Sequence, residues 1–523
     1  MTFLSLGIGC SLAVFILTKV ISIVIAKRRC QAEAARQGCK PAPAIPNLGF
    51  LGLTRILDYL KATREERGPP QFVDAMNELG TNGEVHTARV QVLGSEVLVT
   101  RDPENVKAIY ATNASSFEIG ASRAGCFEPL LGLGIFTQRG EPWRHSRALL
   151  RPQFSREQIS DMDLEERHVN ALSAVLKTGT DGWTDVVDLQ PMFLKMTLEL
   201  MTEFLYGHLP LQIGQKTDAP DREEFGYHFD AGKGYLGTRL ALGKWHWLVN
   251  SQAFARHCEK VHQYADYFVT AKLQLGPKKP AMKMEPQEPA TKGKFVLLDE
   301  LAKHTDNALE IRSETLNVLS AGRDTTASLL SWIFYFLSRH PRVFDRLRTV
   351  VLAEVGTDAS SIEFTKLRSC HYLQHCINEA LRMTGIVPTM ERESLEDTVL
   401  PRGGGPDGTS PVFLPKGQRV MISIYAMQQR PDIWGDDPGV FRPERWEDRK
   451  TGFEFIPFGG GPRKCVGQQM ALTEASYTVV RLLQRFDKLE NCEPPGRIRF
   501  QHTLSIRSGT GAVVRLHEAA KAG

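Results

Sequence analysis

The sequence lacks the paired cysteines, the charge excess and the internal repeats that mark several large classes of protein. Its nine cysteines are odd in number, scattered and never spaced as CxxC pairs, which argues against zinc motifs and a disulfide framework. We therefore expect a reducing compartment for most of the chain. A net charge of +4 over 523 residues does not suggest the basic face of a nucleic-acid binder. Without repeats at solenoid periods, we expect one large domain.

The N-terminus is the longest apolar stretch. Residues 3–26 carry Lys19 as their single charge, and as a helix they would span roughly 36 Å, enough for a hydrocarbon core of about 30 Å. Basic residues follow at 27–29 but none precedes Lys19, an asymmetry that keeps the C-terminal side cytosolic. The sequence predicts a transmembrane anchor over 1–29, a proline-rich linker over 30–47 and a catalytic domain over 48–523.

The body predicts a mainly α fold with small β-sheets. Residues 96–100 (EVLVT) indicate a strand, whereas a helical period dominates from 140 to 390. Residues 306–340 predict the longest helix, ended by Pro341, and its apolar second half should cross the centre of the domain. Residues 276–293, rich in proline and lysine, indicate an exposed loop.

A polar cluster interrupts this long helix at residues 321–326 (AGRDTT). Glycine costs about 1 kcal/mol relative to alanine inside a helix, and Asp and Thr side chains compete with the backbone for hydrogen bonds. Breaking a local rule at one buried place often marks a functional site. A satisfied polar spot in an ordinary core is the alternative.

Residues 458–467 (FGGGPRKCVG) carry the clearest chemical signal. Three glycines let the backbone wrap beside a flat ligand. Cys465 falls at the start of an apolar helical run, where a helix N-terminus favours a thiolate. Arg463 can pair with a carboxylate such as a haem propionate. From these residues alone, a glycine-rich turn with a buried cysteine stays possible.

The same segment resembles the F-x-x-G-x-R-x-C-x-G motif of the cytochrome P-450 superfamily, the haem-thiolate monooxygenases. Three further blocks match the family in the correct order. Trp143 and Arg147 resemble its W-x-x-x-R helix, residues 379–382 (EALR) its E-x-x-R helix, and residues 441–446 (FRPERW) its P-E-R block. The resemblance implies the cytochrome P-450 fold with haem b, whose iron takes Cys465 as its axial thiolate.

The family pattern also implies roles for the remaining matched residues. Those beside the haem would be Trp143, Arg147, Gly322, Phe458 and Arg463, with Trp143 and Arg147 bonding a propionate. Glu379, Arg382 and Arg445 would form a buried charge network that stabilises the core on the haem side, tolerable because all three are paired.

The polar cluster of the long helix acquires a catalytic role through the same resemblance. Thr325 would hydrogen-bond dioxygen, Asp324 would relay protons and Gly322 would leave room for oxygen. Electrons would come from NADPH through a membrane-bound cytochrome P-450 reductase. Residues 403–408 (GGGPDG) match GxGxxG, but the proline-containing stretch after them cannot open the helix that a dinucleotide site needs. We expect the endoplasmic reticulum membrane as location, with a lipophilic substrate, O2 and no nucleic acid as partners.

At finer grain, residues 128–167, 321–327, 400–408 and 467–474 resemble the fungal branch that hydroxylates alkanes and fatty acids. The chain departs from that branch at Thr384-Gly385, where an aromatic residue and a proline are usual, and at Lys464. A tailoring oxidation of a fungal secondary metabolite is therefore a second hypothesis, and a haem-binding protein without oxygenase activity a third.

Four further stretches are inferred to surround the substrate. Residues 121–127, 319–325, 386–390 and 504–507 are expected to line its cavity. The aromatic stretch 225–247 indicates either a membrane-facing entrance or ordinary helix packing.

Overall fold

The computed structural model describes residues 2–46, 52–77, 79, 85–207, 221–275 and 296–520. Across these residues helices predominate, and the strands form small separate sheets, as the sequence predicts. The loop expected at 276–293 lies outside the described residues.

The helices, labelled in chain order, cover most of the described chain. They are α1 (Thr2–Arg36), α2 (Leu53–Arg64), α3 (Pro70–Asn77), α4 (Pro103–Lys107), α5 (Arg123–Leu131), α6 (Gly140–Leu150), α7 (Arg156–Ile159), α8 (Asp163–Val175), α9 (Leu189–Tyr206), α10 (Arg222–Leu242), α11 (Gln252–Leu275), α12 (Leu297–His304), α13 (Ala308–Arg339), α14 (Pro341–Glu354), α15 (Phe364–Ser369), α16 (His371–Thr384), α17 (Ile424–Gln428), α18 (Pro431–Trp434) and α19 (Gln468–Arg485).

The strands are shorter and fall near the two ends of the body. They are β1 (Thr87–Val92), β2 (Ser95–Thr100), β3 (Phe117–Glu118), β4 (Val187–Asp188), β5 (Thr389–Ser394), β6 (Thr398–Gly404), β7 (Ser410–Leu414), β8 (Arg419–Ser423), β9 (Phe486–Asn491), β10 (Phe500–His502), β11 (Ile506–Ser508) and β12 (Val513–Glu518).

The largest sheet has the order β1-β2-β8-β5-β3, with β2 and β8 parallel and the other neighbours antiparallel. Strands β4, β12 and β9 form a second sheet, and β10 pairs with β11. The GxGxxG match at 403–408 turns the hairpin between β6 and β7. It therefore connects two antiparallel strands and does not open a helix.

Helix α13 is the long central helix that the sequence predicts. The side chain of its N-cap, Asn307, accepts hydrogen bonds from the amides of Leu309 and Glu310, which satisfies two donors of the first turn. Its second half is buried on every face and belongs to the main hydrophobic cluster with α14, α16 and α19. Pro341 then opens α14 at a position where its missing N–H costs nothing.

Helix α1 continues to Arg36, past the boundary predicted at residue 29. The segment after it lies on β1, because the Ile45 amide donates to the Arg89 carbonyl and the Arg89 amide donates to the Pro43 carbonyl. In the part of the chain that the structure describes, no helix combines the length and apolarity of a membrane span. Within the predicted anchor, the side chains of residues 2–13, 16, 20 and 23 are not among those that the structure describes. The transmembrane anchor therefore stays a prediction.

Candidate functional site

The loop that carries Cys465 folds back on itself just before α19. The amide of Cys465 donates to the carbonyl of Phe458 at 3.0 Å, which closes the loop. Gly461 adopts a φ of +63°, and a Cβ there would lie 2.1 Å from the Tyr110 carbonyl oxygen. Only glycine therefore allows this close approach. Helix α19 begins at Gln468, so Cys465 precedes the helix by slightly less than one turn.

The thiol of Cys465 is exposed on one side although protein surrounds it on the others. Burial raises the pKa of the thiol, and the Gly467 amide, Arg147 and Lys464 act in the opposite direction. An amide donor and two cations stabilise the deprotonated form, which is the form that ligates a metal.

Helix α6 brings the predicted Trp143 and Arg147 to this loop. The Arg147 guanidinium donates to the carbonyl of Lys464 at 3.0 Å. The guanidinium of Arg463 lies 4.1 Å from the ring centre of Trp143, a cation–π contact. The structure therefore joins two sequence blocks that are more than three hundred residues apart.

Arg463 has a partner that sequence reasoning missed. Its Nε lies 2.6 Å from a carboxylate oxygen of Glu118 on β3, and its NH2 donates to the carbonyl of Gln138. Two more guanidiniums, those of Arg123 and Arg392, carry charge into the same region. Burial, followed by Arg392, lowers the pKa of Arg123 to about 10.

On α13, Thr325 and Asp324 face different surroundings. The hydroxyl of Thr325 donates to the carbonyl of Ala321 at 2.6 Å, a bond that competes with the helical ladder at this turn. Asp324 is 2% exposed. A Cβ on Gly322 would lie 2.4 Å from the sulfur of Met201, so the missing side chain leaves space for α9. Room for oxygen at Gly322 stays a prediction.

The carboxylate of Asp324 belongs to an ion cluster that three elements assemble. Lys233 of α10 bonds one of its oxygens, and Arg507 of β11 donates to the other at 3.1 Å. Arg323 lies 3.5 Å away and makes two hydrogen bonds, of 2.6 and 2.9 Å, to Asp230 of α10. Three cations thus face two carboxylates, and the Nε atoms of Arg323 and Arg507 are buried without a partner.

The electrostatics of this cluster keep Asp324 ionised. Burial alone would raise the pKa of Asp324, but Lys233, Arg323 and Arg507 together lower it. Burial lowers the pKa of Lys233, and Asp324 opposes that shift. The sequence offered no signal for Lys233, while Arg507 lay in one of the predicted cavity stretches.

The predicted charge network around Glu379 assembles as a closed set. Arg382 donates to the Glu379 carboxylate through Nε at 2.8 Å and NH2 at 3.0 Å, and Arg445 donates through Nε at 2.8 Å. The indole of Trp446 and the amide of Arg442 complete the shell at 3.0 Å each. Every oxygen of this fully buried carboxylate therefore has several donors.

Two further buried carboxyls lie near α13 and were not predicted. Glu474 of α19 is 1% exposed, and burial, then Glu165, raises its pKa well above the usual range while a hydrogen bond from Thr326 opposes this. Burial also raises the pKa of Glu165 on α8 to about 7. Each carboxyl keeps one oxygen without a hydrogen-bond partner.

The departure at Thr384-Gly385 has a local structural reason. Gly385 follows the last residue of α16 with φ +51° and its amide donates to the Leu381 carbonyl, the left-handed C-cap that glycine favours. The Thr384 hydroxyl donates to the Ala380 carbonyl at 2.8 Å. The chain then turns, and the Ile386 carbonyl accepts from the Ile506 amide, which joins two of the predicted cavity stretches.

Comparison with known proteins agrees with this arrangement. The cytochrome P450 family model matches residues 64–508. Cytochrome P450 monooxygenase g430 of Fusarium sp is 42% identical over 94% of this chain and 86% of its own length. Cytochrome P450 52A13 of Debaryomyces hansenii is 39% identical over 87% of each chain, and Cytochrome P450 52A4 of Candida maltosa is 41% identical over 83% of this chain and 82% of its own.

The fold and the cysteine loop define a haem-thiolate protein. The chain belongs to the cytochrome P450 family. The resemblance inferred from the sequence is thereby confirmed, and the relatives are fungal, as is the branch that it resembles. The family carries a haem with a cysteine thiolate ligand, and the residues present fit this group: a cysteine with stabilising donors lies beside several guanidiniums that suit its two carboxylates.

Proposed function

We propose that the protein is a monooxygenase that inserts one oxygen atom of O2 into an alkyl chain, with a fatty acid or an alkane as substrate. The observation that carries the proposal is the pairing of the Cys465 loop with an intact Asp324-Thr325 turn on α13. A haem-binding protein without oxygenase activity would have no need of a buried, ionised carboxylate beside that threonine.

The family pattern suggests the roles of the residues around Cys465, and their position next to its loop supports them. Cys465 would supply the thiolate, and Arg463, Arg147 and Trp143 would hold the carboxylate edge of the haem. Phe458 would close the loop beside it, and Gly322 would line the opposite side. Haem with a thiolate ligand supplies dioxygen activation of the kind that inserts oxygen into C–H bonds.

The proton at this site would move through Thr325 Oγ1 and the Asp324 carboxylate. Because Lys233 and Arg507 occupy both oxygens of Asp324, that carboxylate must release one cation before it can accept a proton delivered from bulk solvent and pass it to Thr325 Oγ1. Asp230 can receive the released Lys233, since their charged atoms already lie 3.0 Å apart. Arg323 and Arg507 also lie 2.6 and 3.5 Å from Asp230, so each of the three cations keeps one carboxylate near it while Asp324 carries the proton.

A second candidate function, tailoring of a secondary metabolite that carries an alkyl chain, rests on Gly385. Thr384 and Gly385 replace the aromatic residue and the proline expected before residues 386–390, and Gly385 adopts a left-handed φ of +51°. The corner next to the stretch assigned to the substrate cavity therefore lacks the aromatic side chain of the branch, as would suit a substrate of different shape.

The setting of the enzyme is proposed from its surface and its N-terminus. Electrons would come from NADPH through cytochrome P-450 reductase, for which Lys464 is exposed beside the cysteine loop. Residues 1–29 would anchor the chain in the endoplasmic reticulum membrane, with the catalytic domain in the cytosol. The surface that would rest on the lipid includes Trp245, Trp247 and Leu248, which are 48%, 54% and 60% exposed. Several leucines of α2 are also exposed.

Two measurements test the proposal. Reduced, CO-treated membranes should show the red-shifted Soret band of a thiolate-ligated haem, and Cys465→Ala should abolish it; a wild-type protein without that band contradicts the haem assignment. With reductase and NADPH, saturated fatty acids and n-alkanes should be hydroxylated. If the band is present but no alkyl-chain substrate turns over, the tailoring function replaces the first one.

A further inference from the structure

Helix α10 carries two fully buried cations, Lys233 and Arg239, each 1% exposed. Lys233 bonds Asp324 beside Thr325. The acceptors of Arg239 are instead uncharged groups on α5 and on the segment that follows α10. The helix that contacts the proposed proton site is therefore also tied, near its C-terminal end, to a second part of the molecule.

Toward α5, Arg239 replaces a hydrogen bond that the sequence removes. Pro129 has no N–H, so the carbonyl of Gly125, one turn earlier, loses its helical donor. Arg239 donates to that carbonyl through NH2 at 2.6 Å and to the Cys126 carbonyl through Nε at 2.9 Å. The Cys126 thiol donates back to the Arg239 carbonyl at 3.4 Å. Three bonds thus join α5 to α10.

Toward the 3₁₀ segment Gly243–Leu248 and the loop after it, the same guanidinium makes three more bonds. NH1 donates to the Val249 carbonyl at 2.8 Å and to the Asn250 side chain, and NH2 donates to Nδ1 of His246 at 3.2 Å. Burial and then Arg239 lower the pKa of His246, which favours the neutral ring that can accept this bond. All five N–H donors of the guanidinium are used, which leaves it one orientation.

The ring of His246 also closes directly on α5. A Cβ on Gly125 would lie 2.5 Å from its Nε2, so only glycine leaves room for the histidine. Trp245 and Trp247, on either side of His246, are about half exposed. The surface segment and α5 are therefore interlocked through Arg239, His246 and Gly125, which we call the Arg239 clasp.

Helix α5 contacts α13 at its C-terminal end, and the charge at its N-terminal end interacts with charges near the cysteine loop. At its C-terminal end, the Leu131 carbonyl accepts from the side chain of Asn317 on α13 at 3.0 Å. At its N-terminal end, the charge of Arg123 interacts with those of Arg392 and Arg463 on the side of Cys465. A displacement of α5 therefore disturbs its bond to α13 and moves the Arg123 charge relative to Arg463, two residues before Cys465.

We propose that Arg239 is a positioning residue: its clasp holds α5 in register on α13 and so determines which carbon of a bound alkyl chain is oxidised. The inference rests on the proposed hydroxylation of an alkyl chain. Such a chain offers neighbouring C–H bonds of similar strength, so a shifted wall presents another carbon instead of stopping the reaction. A misplacement of about 1 Å can change a rate by about 100-fold.

The test compares Arg239→Lys with the wild-type full-length enzyme, reconstituted with reductase in lipid vesicles and supplied with a saturated fatty acid. Lysine has three donors from one point and cannot serve the carbonyls of α5 and the loop acceptors together. We expect the ratio of products at neighbouring carbons to change by about tenfold, with a raised KM and a kcat within about threefold of wild type. Arg256→Lys, an exposed arginine on α11, is the matched control and should leave the ratio unchanged.

A second pair of variants tests the clasp while leaving Arg239 and its charge in place. Gly125→Ala forces the His246 ring away and should shift the products in the same way, whereas Gly125→Ala combined with His246→Ala restores the space and should recover part of the wild-type ratio. Amide hydrogen exchange should rise in a peptide covering residues 123–131 in Arg239→Lys and Gly125→Ala, and stay constant in α8.

Unchanged product ratios in Arg239→Lys and Gly125→Ala, even with a higher KM or lower stability, overturn the proposal and leave Arg239 a purely structural role. Unchanged exchange in α5 overturns the clasp itself. A wild-type enzyme that hydroxylates neither fatty acids nor n-alkanes refutes the proposed function instead, and the exchange data then still decide whether the Arg239 clasp holds α5.

Discussion

Two buried carboxylates, Glu379 and Asp324, are bonded in opposite ways. Glu379 receives five hydrogen bonds from α16 and the chain around Pro443–Trp446. Arg382 and Arg445 also donate to the carbonyls of Gln428 and Trp434. Asp324 is bonded by cations from α10 and β11, in a cluster where two Nε atoms lack partners. The network around Glu379, in which every oxygen has several donors, stabilises a single arrangement. The cluster around Asp324, in which donors remain unused, can exchange partners.

Removing the Glu379 carboxylate should have the largest effect on the free energy of unfolding. Glu379→Ala leaves Arg382 and Arg445 buried without their anion, and breaking such a pair costs about 3–5 kcal/mol. We expect the free energy of unfolding, measured by urea titration, to fall by that amount or the protein not to fold. Glu447→Ala, which loses an exposed ion pair with Arg346, should change it by less than about 1 kcal/mol. Equal unfolding midpoints for Glu379→Ala and wild type would contradict the first half of the comparison.

Breaking the ion cluster around Asp324 should affect turnover more than stability. Asp324→Asn removes the carboxylate that would hold the proton, and loss of such a group lowers rates by about 100-fold or more. The rate of product formation at saturating NADPH measures this loss, and urea unfolding of the same variant should show a smaller change than Glu379→Ala. Asp299→Asn, whose carboxylate pairs with Lys272 of α11 outside this cluster, should retain most of the turnover. A stability loss in Asp324→Asn as large as that of Glu379→Ala would remove the distinction.

Glu165 is a buried carboxyl without a cation bonded to it, and its effect on stability should depend on pH in the opposite sense to that of Asp324. The pKa of Glu165 is raised to about 7, so the folded protein holds a proton that the unfolded chain releases above about 4.3. The contribution of Glu165 to the free energy of unfolding should therefore fall as pH rises from about 4 to about 7, by up to about 1.4 kcal/mol per pH unit. Asp324, whose pKa is lowered, has the opposite sign and loses stability only as pH falls below the unfolded value near 4.

Urea unfolding at pH 5 and pH 8 measures this slope. Glu165→Gln should flatten it and raise stability at pH 8, whereas Glu166→Gln, whose carboxyl has a lowered pKa, should leave the slope between these two pH values unchanged. The same slope in Glu165→Gln as in wild type would show that Glu165 is ionised in the folded state.

The smallest effect is expected at the turn that carries Asp324. Gly322→Ala gains helix propensity but brings a methyl group within 2.4 Å of the Met201 sulfur, and overpacking costs about 1–3 kcal/mol. Since the methionine can bend away, we expect a net loss of about 1 kcal/mol in thermal or urea unfolding. Gly234→Ala on α10 meets nothing within 4 Å and should be stabilising. If Gly322→Ala is more stable than the wild type, Met201 of α9 can move aside without a loss of folding free energy.

Much of the fold was predictable because its signals are local. The helix expected at 306–340 is α13, since an Asn cap and a proline bound a continuous apolar face. The strand at 96–100 is β2. Helix α1 extends past the predicted boundary, because charged residues that end a membrane span do not end a helix.

The candidate site was predictable only where a motif carried it. Cys465, Arg463, Trp143 and Arg147 meet as the family pattern implies. Glu118, Lys233 and Arg239 were missed, because each acts on a partner far away in the sequence and occupies a stretch without a recognisable spacing. Arg507 was expected only as part of the cavity wall.

The sequence by itself determined the family, the cysteine that would hold the haem and the helix that carries Asp324 and Thr325, because these depend on short motifs and on periodicity. Only the tertiary structure decided the charge state around Asp324 and the attachment of α5. Both depend on cations from α10, whose burial and partners arise when helices that are distant in sequence pack together. Packing converts two ordinary basic side chains into an exchangeable ion cluster and a rigid clasp.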